Sequence, residues 1–196
     1  MRRDQQALVL RFSAGSFAVD VVPAFFEKMD QINGHNYPVF SIPDGTGNWL
    51  PTSPEMHGRY FNEANEESIS KLARTVQLLK FWRSSRVPSI SLSSFHVELL
   101  LASEGLCVGP KSYAQCLAES FYLLAQRQCR PLRDPLRISG IIPATKTEAQ
   151  RSDLLTSVTN ACNRAFRALE AEANGKTHEA KRLWNFVFYS KFPLYG

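Results

Sequence analysis

Nowhere in this 196-residue chain do apolar residues run together for the roughly 18 positions that a membrane-spanning helix needs. The basic N-terminus, MRRDQQALVLRF, offers only Ala7–Leu10 as an apolar run, too short for the core of a signal peptide. The chain therefore reads as cytoplasmic. Cysteine is sparse. The four cysteines, at 107, 116, 129 and 162, form no Cys-x-x-Cys pair and have no histidine cluster beside them. That argues against a zinc site and a disulfide framework, and for reduced cysteines packed on helices. P-loop, Gly-x-Gly-x-x-Gly and His-Glu-x-x-His motifs are missing, as is any Ser/His/Asp order. There is no internal repeat and no low-complexity tract.

What is present is ordinary globular composition, 44% hydrophobic and 21% charged. The length suits one domain, or one domain plus part of another. Charge is uneven. Residues 1–54 carry four Lys/Arg against five Asp/Glu, and residues 55–196 carry nineteen against thirteen. The basic C-terminal part suits a phosphate-rich ligand, and it suits plain solubility equally well.

Residues 7–12 and 17–22 are short β-type runs separated by Ser13-Ala14-Gly15-Ser16, which predicts a hairpin. Pro23 ends the second strand. Residues 30–58 hold Pro38, Pro43, Pro51 and Pro54 with four glycines, which predicts an irregular connection with one short strand near Tyr37–Ile42. Everything after that reads as helix. Ile69, Leu72, Ala73, Val76 and Leu79 lie at helical spacing within 62–83. A shorter apolar helix covers 93–104. Pro110 is placed to open a helix reaching Cys129. Arg130–Pro143 breaks the pattern. Thr147-Glu148-Ala149-Gln150 has capping-box spacing for a helix ending by Gly175, and Thr177–Phe188 is the last helix. The fold class is α+β and mostly α: 1–54 a hairpin with an irregular connection, 55–196 a helical bundle domain. A two-stranded hairpin does not stand alone in water, so it resembles the remnant of a larger sheet.

Four sets of residues could carry chemistry. Asp20 interrupts the apolar strand Phe17–Val22; it either faces water at a strand edge or finds a partner or a metal. Lys80 shares the angle of Ile69, Ala73 and Val76, so it either snorkels outward or points into a cleft, with Arg83 one turn on. Ser91, Ser93 and Ser94 precede Phe95-His96-Val97-Glu98; they either cap the helix or open an anion site at its N-terminus. Glu98, on an apolar helix, needs a basic partner such as Lys80. His96 is most simply a packed histidine. Arg127, Arg130, Arg133 and Arg137 form either a solvated face or contacts to nucleic acid or a nucleotide phosphate.

Taken in order, these pieces resemble the cGAS/DncV-like nucleotidyltransferases, of the polymerase-β-like superfamily and related to oligoadenylate synthase. Phe17-Ala18-Val19-Asp20-Val21-Val22-Pro23-Ala24-Phe25 is similar to the family's third-carboxylate strand. Tyr37–Gly45, with Trp49, Thr52, Pro54 and His57, is similar to the segment after it. Asn62 to Trp82, with Asn65 and Leu78-Leu79-Lys80-Phe81-Trp82, resembles the start of its helical domain. Ser94-Phe95 through Glu98-Leu99-Leu100 resembles the helix that follows. Asp134-Pro135, Trp184–Phe188 and Phe192-Pro193 also fit.

The resemblance implies a two-lobed enzyme that uses Mg²⁺ and ATP- or GTP-type substrates to make cyclic oligonucleotide second messengers in anti-phage defence. It implies that Asp20 is the third metal-binding carboxylate, and that Lys80 and Ser94 hold triphosphate oxygens. The family also has a Gly-Ser motif on a helix and an Asp-x-Asp strand, both ahead of the third carboxylate. No Asp-x-Asp occurs in this chain, and its Gly15-Ser16 pair falls in the predicted hairpin turn. One carboxylate does not hold two metals, so the expectation is an inactive C-terminal two-thirds of such an enzyme, completed by a missing N-terminal lobe or a split partner chain. Two other readings stay open: a non-catalytic helical module that binds nucleotide or nucleic acid, and a chain that completes another protein's sheet. No membrane partner is expected.

Overall fold

Among the described residues of the N-terminal part, the strands form two antiparallel sheets. The computed structural model describes residues 2–4, 7–11, 18–32 and 34–192. Arg2–Asp4 (β1), Ala7–Arg11 (β2) and Ala18–Val21 (β3) pair in the order β1-β2-β3. The expected hairpin is the β2–β3 pair, with Leu8 opposite Val21 and Leu10 opposite Val19. Its turn at Ser13–Ser16 lies outside the described residues, as do Phe17 and Pro193. β1 adds a strand for which Arg2-Arg3-Asp4 carries no apolar signal.

The strand expected near Tyr37–Ile42 is present, but the rest of the connection expected to be irregular is ordered too, in a second sheet and the start of a helix. Phe25–Ile32 (β4), His35–Pro43 (β5) and Trp49–Thr52 (β6) pair in the order β4-β5-β6. Prolines are tolerated here for positional reasons. β6 pairs only with Phe40–Pro43, so at Pro38 the central strand is locally an edge. Pro51 sits on the edge strand itself. The β4–β5 turn contains Gly34 at φ 79°, a conformation that favours glycine. Along β5, Tyr37, Val39 and Ser41 alternate into the interior. A register shift between Phe26 and Lys28 leaves Glu27 as the extra residue, and its carboxylate accepts a 2.6 Å hydrogen bond from Ser41 Oγ.

Among the described residues six helices follow: Pro54–Glu67 (α1), Lys71–Ser84 (α2), Ser94–Ser103 (α3), Tyr113–Gln126 (α4), Glu148–Ala173 (α5) and Thr177–Val187 (α6). The single helix expected over 62–83 is broken at 68–70. Ile69 and Ser70 have φ of 54° and 60°, and Ile69 is 82% exposed rather than on the buried stripe. Side chains make the turn: Ser68 Oγ accepts from Leu72 N at 3.0 Å, and Asn65 Oδ1 accepts from Ala73 N at 2.9 Å. These two satisfy N–H groups of the first turn of α2. The helix expected from Pro110 starts at Tyr113, because Ser112 is its cap and makes a full capping box with Gln115. Thr147 caps α5, accepting from Gln150 N at 3.2 Å. Leu132–Arg133 (β7) and Ile141–Ile142 (β8) make a two-residue ladder within the predicted break.

The helical core joins Leu72, Val76, Leu79 and Trp82 of α2 to Phe121 and Leu124 of α4, with the Trp82 and Phe121 rings edge to face at 5.0 Å. Leu99, Leu100, Leu101 and Ala102 are all buried, so α3 is enclosed on every side along these four residues. α5 presents Ala161, Ala165, Ala168 and Ala171 and packs along both α4 and α6; small side chains permit close approach of the backbones. Two compact units result. One comprises Met1–Arg59 with Leu136–Gly140, the other Tyr60–Pro135 with Ile141–Gly196. No helix among the described residues is long and apolar enough to cross a membrane.

Candidate functional site

In the helical unit, α2 and α3 pack together so that Lys80 meets Glu98 and Arg83 meets Ser94. Helical spacing explains the correspondence: 80 and 83 lie one turn apart on α2, and 94 and 98 lie one turn apart on α3. Lys80 Nζ donates to Glu98 Oε1 at 2.6 Å, the partner that Glu98's place on an apolar helix required. The Arg83 guanidinium donates to the Leu92 carbonyl at 2.6 Å and reaches Ser94 Oγ at 3.4 Å, the outer edge of the hydrogen-bond range.

Division of labour among the serines follows from the cap. Ser93 is the N-cap of α3 and its hydroxyl accepts from His96 N at 3.3 Å. Ser94 is the first helical residue, so its hydroxyl is not the cap. Ser91 Oγ donates to Gln150 Oε1 at 3.2 Å, and Ser93 N donates to the Ala144 carbonyl at 2.8 Å, tying this segment to the start of α5. Gln150 carries no sequence signal for that role, since its partner is 59 residues away. Leu79, Lys80, Arg83, Leu92, Ser93, Ser94 and Val97 together line a shallow open depression. Lys80, Arg83, Ser94 and the N-terminus of α3 border it. That set favours an anion.

The other predicted residues are placed separately. His96 is buried and its Nε2 lies 3.1 Å from the Arg130 carbonyl, while Nδ1 is buried with no partner among the described residues. Burial holds its pKa below the ordinary histidine value of 6.5, helped by the Arg127 charge and opposed by the Arg130 hydrogen bond. Arg127 pairs with Glu104 at 3.2 Å. Arg130 and Arg133 are exposed in the helical unit, whereas the exposed Arg137 belongs to the unit with Leu136–Gly140, so the basic stretch is divided between the two. Asp20 stands on β3 opposite Val9, exposed, in the unit Met1–Arg59. No group of three His, Cys, Asp or Glu side chains suited to a metal occurs among the described residues. All four cysteines are buried and unbridged, and burial lifts the Cys107 and Cys129 thiols to about 11.

Comparison with known proteins brings these observations together. No protein-family model matches the chain. A probable cyclic nucleotide synthase of Bacillus cereus (strain VD146) is 25% identical over 205 residues, covering 98% of this chain and 57% of that protein. Among solved structures, the Vibrio cholerae DncV cyclic AMP-GMP synthase in complex with nonhydrolyzable GTP matches 97% of this chain at a TM-score of 0.70 and 15% identity. The E. coli MS115-1 CdnC:HORMA-deltaN complex matches 97% at a TM-score of 0.64 and 19% identity. The chain spans 52% of the DncV chain and 64% of the CdnC chain. Over almost its whole length, then, the chain has the α+β fold of the DncV and CdnC proteins, and it resembles the cGAS/DncV-like nucleotidyltransferases as its motifs imply.

Proposed function

We propose that this chain is the part of a cyclic-oligonucleotide synthase that binds the triphosphate of its nucleotide substrates. The observation that carries the reading is the convergence of Lys80, Arg83 and Ser94 on one depression. In nucleotidyl transfer a ribose hydroxyl attacks the α-phosphorus and pyrophosphate leaves. Cations and hydroxyls on the β- and γ-phosphates hold the substrate and offset the charge that builds on the leaving group. Lys80 and Ser94 take that role here, with Arg83 beside them. Asp20 supplies the third carboxylate, which positions the attacking hydroxyl. The product class is a cyclic di- or trinucleotide acting as a messenger in anti-phage defence, and the reaction belongs in the cytoplasm.

Mg²⁺ would neutralise phosphate charge and activate the hydroxyl in such a reaction. The chain's own residues do not fit a complete site for it. Asp20 is a single exposed carboxylate, and no Asp-x-Asp is present. The chain alone is therefore inactive. Its sheets support completion by further polypeptide. Val21, Val22, Phe25, Phe26, Met29 and Trp49 are all exposed, an apolar surface that a soluble unit ordinarily covers. A lobe carrying Gly-Ser and Asp-x-Asp suits that surface.

The test is to incubate the chain with radiolabelled ATP and GTP and Mg²⁺, and to resolve the products by chromatography. No pyrophosphate and no cyclic product are expected from the chain alone. Product formed by the chain alone contradicts the assignment of catalysis to added polypeptide. Retention of labelled ATP on a filter, abolished in Lys80→Ala, is expected; equal retention by both proteins contradicts the triphosphate site.

A further inference from the structure

Lys80 lines the depression, while Glu98, which it contacts at 2.6 Å, does not. The carboxylate is thus held beside the ammonium at the border of the depression. The pair contributes little to the fold, because the Lys80 side chain is 42% exposed and that of Glu98 29% exposed, and water screens pairs of this kind. Its consequence is geometric. A lysine side chain has four rotatable bonds and roams when its ammonium has no partner. Arg83 shows the same device in another form, its guanidinium anchored on the Leu92 carbonyl. Both cations at the depression are tied to internal acceptors.

We infer that Glu98 is a positioning residue for triphosphate binding, fixing Lys80 Nζ at the depression, an inference that rests on the reading of Lys80 as a triphosphate ligand. An ammonium has three donors, and one donated to Glu98 leaves two for phosphate oxygens. The Glu98 charge also repels a triphosphate. That repulsion is weak, because the carboxylate is partly solvated and salt screens it. Fixing the lysine outweighs it.

A double-mutant cycle tests this by calorimetric titration of ATP with Mg²⁺ into the unaltered chain, Lys80→Ala, Glu98→Ala and the double variant. Glu98→Ala is expected to weaken binding about tenfold, the size set by the rotamer freedom the lysine regains. Glu98→Gln retains most of the affinity, since its amide carbonyl still accepts from Lys80. In the Lys80→Ala background, Glu98→Ala changes nothing further. Unaltered or tighter binding by Glu98→Ala overturns the inference, as does an equal loss in both backgrounds, which would show that Glu98 does not act through Lys80. Affinity unchanged by Lys80→Ala is a different result: it removes the triphosphate role of Lys80 itself.

Discussion

Replacing His96 with Gln should flatten the dependence of stability on pH between 7.5 and 5.5. The imidazole is 1% exposed, and its Nε2–H donates to the Arg130 carbonyl at 3.1 Å. An added proton must go to Nδ1, which is buried and faces no acceptor. Burial first, and then the Arg127 charge, keeps the folded-state pKa below 6.5, while the unfolded chain titrates near 6.5. The sign follows. Above this range neither state binds the proton and the full stability is present. As pH falls through 6.5 the unfolded state takes up the proton more readily than the folded state, so stability is lost. The upper limit, set by a folded imidazole that never takes up the proton, is a loss of about 1.4 kcal/mol between pH 7.5 and 5.5. Urea unfolding at both pH values, on the unaltered chain and on His96→Gln, gives the comparison. Gln keeps a donor for the Arg130 carbonyl and does not titrate. The variant should lose less stability across the interval than the parent. Equal losses in the two proteins would refute the assignment of the effect to His96.

Ser93→Ala should cost about 1 kcal/mol in urea unfolding, because it removes the N-cap of α3. Ser94→Ala should leave stability within about 0.5 kcal/mol of the parent and weaken ATP binding instead, since Ser94 borders the depression and is not the cap. Leu79→Ala, at a side chain 1% exposed beneath that depression, should destabilise the chain by about 2–5 kcal/mol by the same measurement. None of the four cysteines should react with a disulfide reagent until the chain unfolds, as all are buried and Cys107 and Cys129 are pushed up to about 11. Rapid labelling of the folded protein would contradict this.

The helical half was legible because periodicity and caps act over short distances. Thr147 and Gln150 announce α5, and the Ser91–Ser94 run announces α3. The Lys80–Glu98 pair was legible because a carboxylate on an apolar helix requires a counter-charge. Other features were hidden for physical reasons. The break at Ile69 has neither Gly nor Pro; Asn65 and Ser68 side chains terminate the pattern, and period counting does not see them. The β4–β6 sheet was masked by prolines that edge positions accommodate, although Asn33-Gly34 is a strong hairpin signal for its first turn. The split of Arg127–Arg137 between the two units is set by tertiary structure, which neighbouring sequence does not encode.

We propose that the helical unit carries a triphosphate site built on Lys80, Arg83 and Ser94. Calorimetric titration of the 196-residue chain with ATP, ADP and AMP in turn, with Mg²⁺, tests it most directly. Affinity should fall from ATP to ADP to AMP, be lost in Lys80→Ala, and be kept in Lys176→Ala at an exposed position. Equal affinities for the three nucleotides, or ATP binding that Lys80→Ala leaves intact, would contradict it.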